Sequence, residues 1–342
     1  MHVDEGQAVT EGQRRRVAPL RRLLDQIGVQ NVSLLIALAL LVALVGSQDA
    51  NFFLAANLRS IGTAITITGL LAVVQTIVII CGALDISVGS IAGLGSVICA
   101  MAFEATSDNP VLGVGAALGV GLLCGLANGA IIVVGRVNPV IATLATLAAF
   151  KGVAQLVSDG RARGYTGADD VFVFLARGSV FGVTTLIWVL AVVALGVHVM
   201  LKTTDIGRNI YAIGGNDTAA RLAGININKY LMAVYALTGV VAAVAGILIT
   251  ARTGSGQPVS GSEGLELEAI TAAALGGCAF KGGKGTIAGT LLAVLLLGVL
   301  SNGMTLLGVN PFWQNLAKGG LLVAAVVIQQ SRSGERRIGL PT

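Results

Sequence analysis

Residues 60–82 read SIGTAITITGLLAVVQTIVIICG, a stretch without one charged side chain. As a helix it extends about 35 Å at 1.5 Å per residue, enough to cross a hydrocarbon layer about 30 Å thick. It shows no alternation of polar and apolar positions, which disfavours a strand of a transmembrane barrel. Working outward, similar runs recur at 31–46, 86–103, 111–135, 139–157, 182–201, 229–251, 265–280, 286–307 and 313–330. The runs at 31–46 and 265–280 are short, so the expected count is about ten, within a range of nine to eleven. The sequence therefore predicts an all-α polytopic membrane protein. The bilayer is its first partner.

Composition excludes the alternatives. Of 342 residues 55% are hydrophobic and 11% charged, with a mean hydropathy of +0.86. About a quarter of a typical soluble domain is charged. Disulfide scaffolds, nucleic-acid-binding modules and soluble nucleotide-binding enzymes do not fit. The net charge of +5 reports membrane orientation rather than nucleic acid. Cys81, Cys99, Cys124 and Cys278 lie in or beside apolar runs without a CxxC pair and read as small buried hydrophobes. His2 and His198 are too few for a metal site. The first residues carry Asp4, Glu5 and Glu11 and lack the short apolar core of a signal peptide.

Lys and Arg in the connections favour both termini inside. Fifteen of the 22 then fall inside and five outside, with Lys151 and Lys318 within spans. This divides the chain into a basic cytoplasmic segment (1–30), a transmembrane domain (31–330) and a cytoplasmic tail (331–342). Two connections are long: 158–181 outside and 202–228 inside. No soluble catalytic domain fits between the spans, so function resides in the spans and these two loops.

Within 202–228, Asn216 suits an N-cap, Asp217 the positive end of a helix, and Gly224 its termination. Two turns of helix are unstable alone in water and must pack on the base of the bundle or on another protein. Asp85 stands between apolar runs, where a carboxylate costs about 2.5–3.5 kcal/mol on insertion scales. It reads both as a helix cap at a break and as a group lining a pathway, because irregular backbone at depth is tolerated beside protein or water. Gly282-Gly283-Lys284-Gly285-Thr286 resembles a phosphate loop only superficially: Cys278 stands where its first Gly belongs and no strand precedes it. Glycines four apart, such as Gly115 and Gly119, Gly121 and Gly125, or Gly285 and Gly289, permit close helix contacts. Asn128-Gly129 with Asn138-Pro139, and Asn302-Gly303 with Asn310-Pro311, recur at offsets of 174 and 172, the spacing of a possible inverted repeat of two halves.

The motifs together resemble those of a known family. Ala219, Ala220 and Gly224 are similar to the coupling-loop motif of ABC transporter permeases, with Thr218 in place of its leading Glu. Residues 82–90, GALDISVGS, resemble the Gly-Gly-Ile-Asp-Leu-Ser-Val-Gly signature of ribose-type sugar permeases, with Ala83 for the second Gly. Asn128-Gly129 through residues 138–144 (NPVIATL), residues 211–216 (YAIGGN) and residues 254–258 (GSGQP) follow in the same order. Asn138, and the basic Lys281 and Lys284, depart from the pattern. The likeness runs from about 52 to 328.

That resemblance implies a permease subunit of an ATP-driven sugar importer in a bacterial cytoplasmic (inner) membrane, not itself an enzyme. Its partners would be an ABC ATPase subunit, an extracytoplasmic sugar-binding protein and a second permease chain, identical or not. The chain would bind no cofactor, with ATP and Mg on the ATPase. Gly215, Asn216, Asp217, Ala219, Ala220, Arg221 and Gly224 would receive the ATPase. Depth and polarity nominate Asp85, Ser87, Asn128, Asn138 and Asn302 for the pathway. The rival reading is a stand-alone ion-coupled transporter or channel using Asp85, Lys151 and Lys318.

Overall fold

A computed structural model describes residues 29–106, 109–164 and 170–333. The basic N-terminal residues, much of the tail and part of the 158–181 loop lie outside the described residues. The helices in order are α1 (Val29–Gln48), α2 (Ala55–Ile80), α3 (Val88–Ala105), α4 (Pro110–Val133), α5 (Pro139–Ser158), α6 (Asp170–Arg177), α7 (Thr185–Thr203), α8 (Asp205–Gly215), α9 (Asp217–Leu222), α10 (Ile227–Thr253), α11 (Leu265–Leu275), α12 (Ile287–Leu306) and α13 (Pro311–Ser333). Four two-residue strands complete the fold: β1 (Arg163–Gly164), β2 (Ser179–Val180), β3 (Val183–Thr184) and β4 (Ser255–Gly256).

Among the described residues, eight helices are long and apolar enough to cross a membrane: α1 to α5, α7, α10 and α12. The expected ten included two more. The run at 265–280 becomes the 11-residue α11, stopped by Gly276 and by Gly277 at φ +98°. The run at 313–330 becomes α13, whose Gln314, Asn315 and Lys318 dilute its apolar content. Helix starts follow local chemistry. Asn109 and Asn138 each accept a backbone N–H ahead of a proline at the first helical position, where the missing N–H costs nothing. Asn310 repeats the device before Pro311.

The bundle is built around α2, α3 and α10. Leu70–Val74 and Ile77–Ile80 of α2 are buried without interruption. Helix α4 approaches α10 closely enough that a Cβ on Gly121 or Gly125 would strike the main chain at Gly239 and Tyr235. Gly115 and Gly119, one turn apart on the same helix, face open space. Leu123, Leu156 and Val192 on the outer helices are exposed, as a lipid-facing rim requires. All four cysteines are buried, and none forms a disulfide among the described residues.

Candidate functional site: a buried polar hub, a glycine joint and a cleft

The chain breaks between α2 and α3 at residues 81–87. Gly82 adopts φ +86°, where a side chain would be strained, and redirects the chain. Asp85 Oδ1 then accepts from the Ser87 backbone N–H at 2.8 Å and the Ser87 hydroxyl at 2.6 Å. Asn128 Nδ2, on α4, donates to Ser87 Oγ at 2.8 Å. Tyr235 of α10 donates its hydroxyl to the Leu84 carbonyl at 2.9 Å. Asp85, Ser87 and Asn128 are wholly buried, so three elements are tied together through one polar knot. Asn138 sits apart, at the exposed start of α5, where its side chain accepts from Val140 N.

The same break abuts the end of α8, which leads into α9. Asn216 caps α9 by accepting from Ala219 N at 2.9 Å. Asp217 lies in its first turn, and Gly224 follows its end at φ +83°. Gly215, Asn216, Asp217, Ala219, Arg221 and Gly224 are exposed, whereas Ala220 points into the bundle. Leu222, which the sequence did not single out, is 86% exposed. Behind this surface lies a joint made of main chain. Gly283 N donates to the Ile80 carbonyl at 2.8 Å, and Tyr211 donates to the Gly285 carbonyl at 2.8 Å. A Cβ on Gly214 would overlap the Ile80 carbonyl oxygen, and one on Gly282 would come within 2.7 Å of the Gly214 carbonyl oxygen. The GGKGT stretch thus serves as the bed on which α8 rests.

The signature stretches also meet along the first half of α3. Gln257 N donates to Ser96 Oγ at 3.0 Å, and Ser96 shares a 2.7 Å hydroxyl contact with Thr250. A Cβ on Gly93 would press within 2.9 Å of the Pro258 carbonyl oxygen. The 256–264 segment is therefore bedded on the glycine face of α3. Beyond it opens a cleft of about 960 Å³ between α2, α11, α12 and α13. Asn302 is on its wall and exchanges two amide hydrogen bonds with Asn57, at 3.0 and 2.8 Å. Lys318 and Glu268 pair across it at 2.6 Å. Lys151 pairs with Glu263 at 2.7 Å.

A bundle of bilayer-length helices with a polar cleft at one end and an exposed, capped helix at the other is a multi-pass membrane transport subunit. Residues 57–326 match the family described as branched-chain amino acid transport system / permease component, and the chain belongs to that family. It is 38% identical to the ribose import permease protein of Escherichia coli strain K12 over 314 residues, 91% of this chain and 97% of that one. The ribose import permease protein of Bacillus subtilis strain 168 is 38% identical over 307 residues, 89% of this chain and 94% of its own. The L-arabinose transport system permease protein of Escherichia coli strain K12 is 36% identical over 316 residues, 92% and 94% of the two chains. No solved structure matches the chain.

Proposed function

We propose that this chain is the membrane-spanning subunit of an ATP-driven importer of a pentose or similar neutral sugar, working beside a second permease chain. The observation that carries the reading is the exposed α9 backed by the Gly214–Ile80–Gly283 joint. A short helix so placed would yield to any push unless something rigid stood behind it. Here the backing is main chain hydrogen-bonded to the end of a central helix.

An ATPase docking on α9 would shift α8. The joint would pass that movement to the end of α2 and through Gly82 to the Asp85–Ser87–Asn128 knot. Helix α3 starts at that knot, and its Gly89 and Gly93 carry the 256–264 segment that walls the cleft. A contiguous route of packed main chain thus runs from the docking face to the cleft, the kind of physical connection that coupling between distant sites uses. ATP and Mg would reside on the partner, α9 would face the cytoplasm, and a sugar-binding protein would deliver solute to the outer loops. The names of the relatives above support the substrate class.

Affinity purification of the tagged chain from native membranes in mild detergent, with mass spectrometry of what accompanies it, tests the proposal. A stoichiometric ABC ATPase is the expected result. A chain that purified alone, and moved sugar in proteoliposomes on an ion gradient, would overturn it.

A further inference from the structure

We infer that the cleft between α2, α11, α12 and α13 is where the solute rests in transit, held by Glu268 and Lys318 through its hydroxyl groups. The inference rests on the transport reading above and gives it a site.

The cleft runs from Ser60 to Thr68 along α2, about 12 Å at helical rise, and stops where Leu70–Val74 close completely. Its volume falls within the roughly 300–1,000 Å³ of small-molecule sites. Among the described residues its charged lining is Arg252, Lys318, Glu263 and Glu268. With Lys151, which pairs with Glu263, and the neighbouring Glu266, three positive and three negative groups balance, so the cleft favours neither an anion nor a cation by net charge. A neutral ligand rich in hydrogen-bonding groups suits it.

Glu268 and Lys318 are arranged for that chemistry. Glu268 Oε1 takes the Lys318 ammonium at 2.6 Å, and Oε2 takes the Thr68 hydroxyl at 3.1 Å. A carboxylate offers about four acceptor positions and an ammonium three donors. Those two bonds occupy half of the first set, and the Glu268 bond one of the second. Side-chain exposures of 30% and 27% leave both groups open to the cleft. A vicinal diol can then donate to Glu268 and accept from Lys318 with the pair still intact.

The test uses the complete transporter in proteoliposomes, with D-ribose and L-arabinose as probes. Glu268→Gln keeps the shape and removes the charge. It should cut uptake about tenfold, the loss of one charge-assisted hydrogen bond, with the ATPase still bound. Exchanging the charges (Glu268→Lys with Lys318→Glu) should not restore uptake, because the hydroxyl donors and acceptors then sit in the wrong places. Restoration would show a brace and overturn the inference. A second arm needs no change to the pair. Thr305→Cys, on the cleft wall with the native thiols buried, is labelled with a membrane-impermeant maleimide. Whichever of the two sugars the transporter moves should slow the reaction, and a transported sugar that leaves it unchanged would overturn the inference. If the unaltered transporter moves neither sugar, the proposed function fails by itself. The labelling arm then decides with a panel of solutes: protection by neutral polyols supports the site, and protection by charged solutes alone, or by nothing, overturns it.

Discussion

Gly214→Ala puts the mechanical reading at risk most directly. The added methyl would overlap the Ile80 carbonyl oxygen and stand 2.6 Å from Gly283 N, two main-chain atoms already bonded to each other at 2.8 Å. No flexible side-chain end is available to give way. Overpacking of this kind costs about 1–3 kcal/mol, and loss of the Gly283–Ile80 bond adds about 1 kcal/mol. The gain from replacing a helical glycine offsets roughly 0.5–1 kcal/mol of this. The net is about 1–3 kcal/mol against the joint. Gly196→Ala on α7 makes the control, since its Cβ meets nothing within 4 Å. Thermal melting in detergent and sugar moved per ATP hydrolysed are measured for both. Gly214→Ala should melt lower and transport less per ATP, with Gly196→Ala melting at or above the parent and coupling as the parent does. Equal coupling ratios in all three would refute the joint as the transmitting element.

Other perturbations separate the remaining parts. Leu222→Asp should weaken ATPase binding without lowering the melting temperature, because the side chain touches solvent; pull-down of the ATPase reads it. Ser87→Ala removes a bond to Asp85 and one from Asn128 in a wholly buried cluster, and should cost about 1–3 kcal/mol in chemical or thermal unfolding. Phe181, 93% exposed at the β2–β3 turn, adopts φ +52°, a conformation Asn-Gly accepts better. Phe181→Asn should leave melting unchanged or raised and weaken binding-protein docking, measured by titration of binding-protein-stimulated ATPase activity. Asn57→Ala leaves one amide of a reciprocal pair without its partner and should lower stability by about 1 kcal/mol.

The helical membrane architecture was legible because apolar length is a local property. Residues 60–82 needed no context to be read, and the Asn216 cap announced itself by type and position, whereas Asn138, nominated for the pathway, is a cap only in the structure. The motif order carried the family. What stayed hidden depends on distance in space. The GGKGT stretch looked like a failed phosphate loop; its role as a bed for α8 appears only when Gly214 and Ile80 are brought to it. Glu268 and Lys318 lie 50 positions apart, and Lys318 entered the reading only as a lone cation in a span. Leu222 could have been found: an apolar side chain two positions from the inward-facing Ala220 on a two-turn helix must point away from the bundle. Ala220 itself, exposed to no partner, makes a poor probe of docking. The runs at 265–280 and 313–330 fall outside the eight helices long and apolar enough to cross a membrane because Gly277 turns the chain in the first and Gln314, Asn315 and Lys318 lower the hydropathy of the second.

Strands β1 and β4 pair antiparallel, with Arg163 opposite Gly256 and Gly164 opposite Ser255. The partners stand 93 and 91 positions apart, and α6 through α10 lie between them. A chain made from its N-terminus must therefore insert all of that before the first strand has anything to bond. The pairing is a late event of biogenesis, a latch that closes once α10 has reached its place. A chain halted at Thr253 would hold every preceding span and still leave β1 without its partner strand.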